Sequence, residues 1–139
     1  MSKGLIRFVI LFILAIFTLH GRPAADEPRP ITFDDLISLG RIGDFEISSD
    51  GRWIAFDVTW YDKSENSSNT DIYLVAVGGG EVWRFIRSDG ADHSPCWSPD
   101  GKHLAFVSDR DGSAQIWIIP SDGGEARRIT DVPTGVSGP

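Results

Sequence analysis

The chain contains two copies of one module. A Ser-x-Asp-Gly stretch that begins at Ser48 returns 50 residues later at Ser98, and an apolar triplet follows each copy. Farther along, a Gly-Gly-Glu stretch that begins at Gly79 returns 44 residues later at Gly123. The module is therefore about 45 residues long, and a period of this size is typical of solenoids and propellers.

The turn residues inside each module predict short antiparallel strands. Asp-Gly pairs favour tight turns, because glycine adopts positive φ without strain and aspartate bonds to nearby amides. In the second copy, runs rich in β-branched and aromatic residues lie between the turns, at residues 96–98, 103–108, 114–120 and 126–130. Four strands per module predict an all-β fold in which each module is one four-stranded blade of a partial β-propeller.

The first copy is six residues longer than the second. The extra residues fall between Asp57 and Thr70, in a stretch rich in Ser, Asn and Lys that is typical of a loop. The middle strands at residues 54–58 and 116–119 are almost continuously apolar instead of alternating. Such a pattern indicates strands that are covered on both faces, as in a stack of blades.

Residues 1–25 have the order of a secretory signal peptide. Lys3 and Arg7 precede an uncharged apolar run at residues 8–19, and a polar stretch with prolines follows. A helix needs about 20 apolar residues to span a membrane, so this run favours export over a stable anchor. We expect cleavage after Ala25 and a secreted or periplasmic protein. Pro23 departs from the usual cleavage pattern, and an uncleaved membrane anchor is the alternative.

Residues 26–42 predict a linker and a short helix. Thr32 can cap the helix together with Asp35, and Gly40 ends it. The first blade then occupies residues 43–91, the second residues 92–131, and residues 132–139 form a linker to a third, missing blade. Because repeat architectures need about three units for stability, we expect this chain to be part of a longer protein and marginally stable alone.

The charge distribution excludes several classes of partner. All 20 acidic residues follow Ala25, together with 10 of the 13 basic residues, so the segment after the predicted signal carries a formal charge of −10. This charge repels phosphate backbones and anionic lipid head groups. We therefore expect no nucleic-acid partner, and no membrane contact beyond the signal segment.

The sequence offers little catalytic chemistry. It has no Gly-x-Ser-x-Gly motif, and Ser137, the nearest match, is followed by Gly138 and Pro139 in place of a strand-turn-helix context. His93 lies beside Asp92 and Ser94, but adjacent residues rarely converge on one catalytic site. His103 borders a tight turn. We assign no catalytic residue to this chain.

Metal and cofactor sites are not predicted either. Asp109, Asp111 and Gly112 lack the later ligands of a calcium loop and are typical of a polar hairpin turn. Cys96, the single cysteine, fits a small apolar core position. The five tryptophans are expected to pack between the blades, with Trp60 and its neighbour Tyr61 as the pair most exposed.

The residues from Trp97 to Lys102, followed by the apolar triplet at 104–106, resemble the blade motif of WD-like propellers. They resemble both TolB-like periplasmic propellers and the N-terminal propellers of prolyl-oligopeptidase-family serine peptidases. The first copy departs from the motif, with Ile47 in place of the tryptophan and Ser49 in place of the proline. Residues 31–41 are similar to the start of peptidases of the acylaminoacyl-peptidase or dipeptidyl-peptidase type.

The resemblance implies two functions. In the peptidases, the propeller restricts access of peptide substrates to a C-terminal α/β-hydrolase domain, which carries the catalytic Ser, Asp and His and is absent from this chain. The expectation is therefore the N-terminal propeller fragment of an exported serine peptidase that needs no cofactor. The alternative is a TolB-like periplasmic propeller that acts as a protein-interaction scaffold without catalysis.

Overall fold

Two four-stranded antiparallel sheets follow a short helix. The computed structural model describes residues 28–139, of which Thr32–Pro139 form one compact unit. The predicted signal peptide and its helix lie outside the described residues. Helix α1 spans Phe33–Ser38, where the Thr32 hydroxyl accepts a hydrogen bond from the Asp35 amide and the Asp35 carboxylate accepts one from the Thr32 amide. The predicted capping by Thr32 and Asp35 is confirmed.

Each predicted module forms one sheet. In the first, β1 (Arg41–Ile47), β2 (Trp53–Asp62), β3 (Ser67–Ala76) and β4 (Trp83–Arg84) pair in chain order. In the second, the strands in the same order are β5 (Asp92–Trp97), β6 (His103–Ser108), β7 (Gln115–Pro120) and β8 (Arg127–Arg128). We call these sheets blade 1 and blade 2. The prediction of an all-β partial propeller with two blades is confirmed.

The Asp-Gly turn of blade 1 is a small hydrogen-bonded unit. Asp50 Oδ1 accepts hydrogen bonds from Ser48 Oγ at 2.7 Å and from the Arg52 amide at 3.0 Å. Ser48 Oγ in turn accepts one from the Trp53 amide at 2.9 Å. Gly51 has φ of +70°, a left-handed conformation that favours glycine.

The same unit recurs in blade 2. Asp100 Oδ1 accepts hydrogen bonds from Ser98 Oγ at 2.6 Å and from the Lys102 amide at 3.1 Å, while the His103 amide donates to Ser98 Oγ at 3.0 Å. Gly101 has φ of +67°. The repeated Ser-x-Asp-Gly sequence therefore encodes one repeated turn geometry, as the spacing predicts.

The inserted stretch of blade 1 extends the sheet instead of forming a long loop. Strands β2 and β3 have 10 residues each, whereas β6 and β7 have six. Thr59 pairs with Thr70 across the strands, and their hydroxyls lie 2.9 Å apart. Only residues 63–66 form the turn, where Asp62 Oδ1 accepts hydrogen bonds from the amides of Ser64 and Glu65. Cross-strand pairing thus outweighs the loop composition.

The core lies between the blades. Strand β5 packs against β1, β2 and β3. We call the face of blade 1 that carries Ala55, Ile72 and Leu74 its front, and the opposite face its back. The back of blade 2 carries the side chains that pack against the front of blade 1; they are Trp97, Leu104, Phe106, Trp117 and Ile119, all buried.

The middle strands are covered most completely on the faces that meet, although Val58 on the back of blade 1 and Val107 on the front of blade 2 are also buried. Ala55 is fully buried, but its neighbours Ile54 and Phe56, which point to the back of blade 1, remain half-buried. Blade 2 shows the inverse pattern, with Leu104 and Phe106 buried on its back and Ala105 half-buried on its front. The continuous apolar pattern predicts that both faces of each blade are covered. In the described residues, however, each blade packs against only one other blade.

Most tryptophans pack in or near the core and Trp60 is exposed, as the sequence predicts. Trp97 and Trp117 are buried between the blades, and Trp53 packs against the same core. Trp83 meets Trp53 edge-on with ring centroids 5.0 Å apart. Trp60 is 46% exposed on the extended part of β2.

Gly101→Ala should destabilise the protein by about 1–2 kcal/mol, because alanine is strained at positive φ. Gly78→Ala is the matched control: no atom lies within 4 Å of the added Cβ and φ there is not positive. Its effect should stay within about 0.5 kcal/mol. Urea denaturation of both variants measures the difference, and equal midpoints would contradict the turn geometry.

Ser48→Ala should raise the pKa of Asp50. Hydrogen bonds from Ser48, then from the Arg52 amide and side chain, lower the pKa of Asp50 from 3.8 to about 2. Since the lowered pKa belongs to the folded state, the contribution of this carboxylate is present above about pH 4 and is lost as the pH falls towards 2. NMR titration of the carboxyl carbons measures the pKa. The pKa of Asp100, which the Ser98 hydrogen bond lowers, should not change and is the internal control.

Candidate functional site

Carboxylates of blade 1 accept hydrogen bonds from the backbone of β5 along the boundary between the blades. Asp57 Oδ2 accepts one from the Ser94 amide at 3.1 Å, and a Glu46 carboxylate oxygen accepts one from the Trp97 amide. The Trp97 indole also donates to the Glu46 carbonyl at 3.3 Å. We call this set of contacts the seam.

The first strand of each blade contains a bulge at the seam. The register of β1 shifts between Ile42 and Phe45, and that of β5 shifts between His93 and Cys96. At the second bulge Ser94 adopts a positive φ of 52°, and its amide is directed to Asp57 instead of a strand partner. A Cβ at Gly43 would overlap Asp57 Oδ1, so a larger residue at that position would displace the Asp57 carboxylate.

His93, Ser94 and a carboxylate do meet at the seam, but in an order that does not suit nucleophilic catalysis. Ser94 Oγ donates to Asp44 Oδ2 at 2.9 Å, and His93 Nδ1 lies 3.1 Å from Ser94 Oγ. In a catalytic triad the serine proton goes to the histidine and the carboxylate orients that histidine. Here the serine hydroxyl donates its hydrogen bond to the Asp44 carboxylate and not to the histidine. The cluster therefore joins the two blades and does not activate a nucleophile.

Asp92 belongs to a different cluster, at the start of β5. Its fully buried carboxylate accepts hydrogen bonds from Arg110 Nη2 at 2.7 Å and from Ser88 Oγ at 2.8 Å. The Arg110 guanidinium also lies over the Trp117 ring, 4.6 Å from its centroid. A buried carboxylate needs such a partner, so this ion pair is structural.

The remaining candidate residues lie apart from one another. Asp109 Oδ1 accepts a hydrogen bond from the Ala91 amide at 2.8 Å and its carbonyl closes the turn at Gly112, which is a hairpin geometry. Ser137 is exposed in the coil after β8. Within residues 28–139, no three His, Cys, Asp or Glu side chains are grouped so that they could hold a metal ion.

Cys96 is half-buried on the front of blade 2. Burial, followed by the nearby charge and hydrogen bond of Glu46, raises the pKa of its thiol above the usual value. A raised pKa lowers the thiolate fraction at neutral pH, so the environment does not favour a nucleophile. Cys96 is half-buried and lies outside the core cluster, whereas the sequence predicts a core position.

Trp60 and Tyr61 are exposed, but each has an intramolecular partner. The Trp60 indole donates to Tyr73 Oη at 3.2 Å, and the Arg41 guanidinium lies 4.3 Å from the Tyr61 ring centroid. These contacts fix both rings on the extended β2–β3 hairpin. The predicted exposure of this pair is confirmed.

The seam carboxylates were missed by motif analysis, although the repeat contains a signal for them. Asp44, Glu46 and Asp57 in the first copy are replaced in the second by serine, cysteine and valine at the same offset of 50 residues. Acidic residues that occur in one copy and not in the other indicate a contact that only the first copy makes, and here that contact is the seam. The strand pattern of the sequence does not show which backbone amides these carboxylates bind.

Comparison with known proteins gives the family. Residues 45–135, more than half of the chain, match the family model described as the TolB beta propeller domain. The chain belongs to the TolB β-propeller domain family. Within the described residues of this propeller, no helix is long and apolar enough to cross a membrane.

Relatives of this propeller include peptidases and TolB proteins. The uncharacterized peptidase YuxL of Bacillus subtilis is 40% identical over 112 residues, which cover 78% of this chain and 17% of that protein. Dipeptidyl-peptidase 5 of Porphyromonas endodontalis is 30% identical over 108 residues, which cover 78% of this chain and 16% of that protein. The solved structure of a putative TolB from Agrobacterium tumefaciens has a TM-score of 0.52 and 32% identity, over 64% of this chain and 30% of that chain.

The resemblance to both families is confirmed by these comparisons. The propeller is related to the propellers of peptidases and to TolB. The chain spans about one sixth of the length of the two curated peptidase relatives that it matches.

Glu46→Ala should destabilise the blade pair by about 1–3 kcal/mol, because the buried Trp97 amide loses its acceptor. Glu81→Ala removes an exposed carboxylate from the turn between β3 and β4 and is the matched control, with an effect within about 0.5 kcal/mol. Thermal unfolding followed by tryptophan fluorescence compares the two. If Glu46→Ala behaved like the control, the seam would not hold the blades together.

Proposed function

We propose that this chain is the N-terminal propeller part of an exported serine peptidase. The observation that carries the proposal is the 40% identity to the peptidase YuxL across 78% of the chain. Dipeptidyl-peptidase 5 supports it over the same share of the chain. Each relative continues far beyond the matched part, so there is room for further blades and a catalytic domain in a longer protein of this kind.

In this proposal the propeller does not perform the chemistry. At the seam, Ser94 Oγ donates its hydrogen bond to Asp44 and not to His93, an arrangement that is unsuitable for attack on a peptide bond. A C-terminal α/β-hydrolase domain supplies the catalytic Ser, Asp and His. The propeller covers that domain and restricts access to it to small peptides.

Export is the second element of the proposal. It rests on the charged, apolar and polar order of residues 1–25, with cleavage after Ala25. A peptidase outside the cytoplasm would act on extracellular or periplasmic peptides. N-terminal sequencing of the secreted protein would give Asp26 as the first residue.

A non-catalytic scaffold is the second candidate function. The family model and the 32% identity to the putative TolB structure favour it over that part of the chain. In this case the propeller would bind other proteins through its faces and loops. The two candidates differ in the domain that lies beyond the last blade, and not in the blades themselves.

A serine-reactive probe separates the two functions. The intact protein, treated with a fluorophosphonate, should be labelled on one serine beyond Pro139, while the serines of residues 28–139 stay unlabelled. The heat-denatured protein and a variant with alanine in place of the labelled serine are the controls. An intact protein that ends after its last blade and does not react would support the scaffold and refute the peptidase.

A further inference from the structure

A groove of about 480 Å³ lies between the two blades, near their last strands. Blade 1 contributes residues 85–87, which follow β4, and blade 2 contributes Arg110, Trp117, Ile119 and residues 124–126 in the turn before β8. Both walls belong to blades that are present, so a further blade is not needed to complete the groove. Its volume lies within the range of about 300–1,000 Å³ that is usual for small-molecule pockets.

Several of the side chains that line the groove are apolar. Ile86 and Ile119 are buried members of the core between the blades, and Phe85 and Ala126 pack against the same core. The Trp117 ring is also buried there. An apolar group of a ligand would therefore contact the edge of the core between the blades.

The Trp117 indole is a buried donor without a partner. Trp117 is 8% exposed, and its Nε1 has no hydrogen-bond acceptor within residues 28–139. Tyr73, its counterpart in blade 1 at the repeat offset of 44, has a hydroxyl that accepts a hydrogen bond from the Trp60 indole at 3.2 Å. Because a buried donor without an acceptor is unfavourable, a ligand oxygen at Trp117 Nε1 would gain a hydrogen bond that the chain itself does not supply.

Two guanidinium groups add further donors to the groove. Arg110 is held in place by hydrogen bonds to the Asp92 carboxylate and the Ser108 hydroxyl, which leave its Nη1 without a partner in the described part of the chain. Arg87, from the other blade, is exposed and makes no ion pair with any described residue. The planar fork of a guanidinium matches the two oxygens of a carboxylate.

Glu125 lies among these donors and limits the ligands that fit. It is exposed, it lines the groove, and its carboxylate has no ion-pair partner among the described residues. Its negative charge disfavours a dianion such as phosphate. Its oxygens can, however, accept a hydrogen bond from an amide N–H.

We propose that this groove binds the carboxyl-terminal end of a peptide whose last residue is apolar. The terminal carboxylate accepts hydrogen bonds from Arg87, Arg110 and the Trp117 indole. The last side chain contacts the apolar residues of the groove, and the last amide N–H donates to Glu125. The proposal rests on neither candidate function, since a peptidase and a scaffold would both contain blades 1 and 2.

The test compares three probes. N-acetyl-L-phenylalanine has the carboxylate, the amide and an apolar ring; N-acetyl-L-phenylalaninamide lacks the charge, and 3-phenylpropionate lacks the amide. The first should bind at least about tenfold more tightly than its uncharged match and about threefold more tightly than 3-phenylpropionate. Proton NMR of the 139-residue chain should show the Trp117 indole N–H signal, identified by its loss in Trp117→Phe, moving to lower field with the first probe.

Arg87→Gln should weaken binding of N-acetyl-L-phenylalanine about tenfold, because a charge-assisted hydrogen bond is lost. Arg127→Gln is the matched control. Arg127 is also an exposed arginine, and it pairs with Ile118 on the front of blade 2, the face opposite the groove. Its substitution should change the affinity by less than about twofold. Calorimetry on the intact protein should give the same difference between the two variants, because neither substitution would alter binding at a separate catalytic site.

Four results would overturn the proposal. These are a Trp117 signal that does not move at saturating probe, equal binding of the acid and its amide, equal binding of the acid and 3-phenylpropionate, and equal affinities of the two arginine variants. The third result would show that the groove accepts any apolar acid and does not recognise a peptide end. Where the 139-residue chain gives no dispersed indole signals, the calorimetry on the intact protein decides.

Discussion

The packing of one sheet face on another is the interaction on which the rest of this protein depends. Each blade is a four-stranded sheet with apolar side chains on both faces, and neither sheet can bury them alone. The front of blade 1 on the back of blade 2 gives the only continuous core of the described residues, around Leu74 and Phe106. The strand pairing, the turns and the seam all serve to place these two faces together.

The hydrogen bonds of the seam fix the relative position of the two blades, which the apolar contact alone does not. Apolar faces alone would tolerate sliding, whereas the hydrogen bonds from Ser94 and Trp97 to Asp57 and Glu46 fix the position of β5 on blade 1. The bulge in β5 makes the bond from Ser94 possible, because it turns the Ser94 amide away from a strand partner. The carboxylates of Asp57 and Glu46 are therefore used to hold the blades together.

Most of the local structure could be predicted from the sequence. The two Ser-x-Asp-Gly turns, the helix cap at Thr32 and the four-strand module arise from residue chemistry at short range, which acts in the same way in both copies. The length of the β2–β3 hairpin was not predictable, since Ser, Asn and Thr favour a loop but pair well across strands once a sheet exists. The candidate site was harder still, because Asp44 and Ser94 are 50 residues apart.

By itself, the sequence determined the repeat, the strand count and the turn geometry, because these depend on neighbouring residues. Only the tertiary structure decided which carboxylates cap β5, why Ser94 is not a nucleophile, and which face of each blade is covered. The physical reason is that an apolar strand pattern shows that both faces of the strand favour burial, but it does not show which part of the protein packs against each face. That choice belongs to the packing of whole sheets.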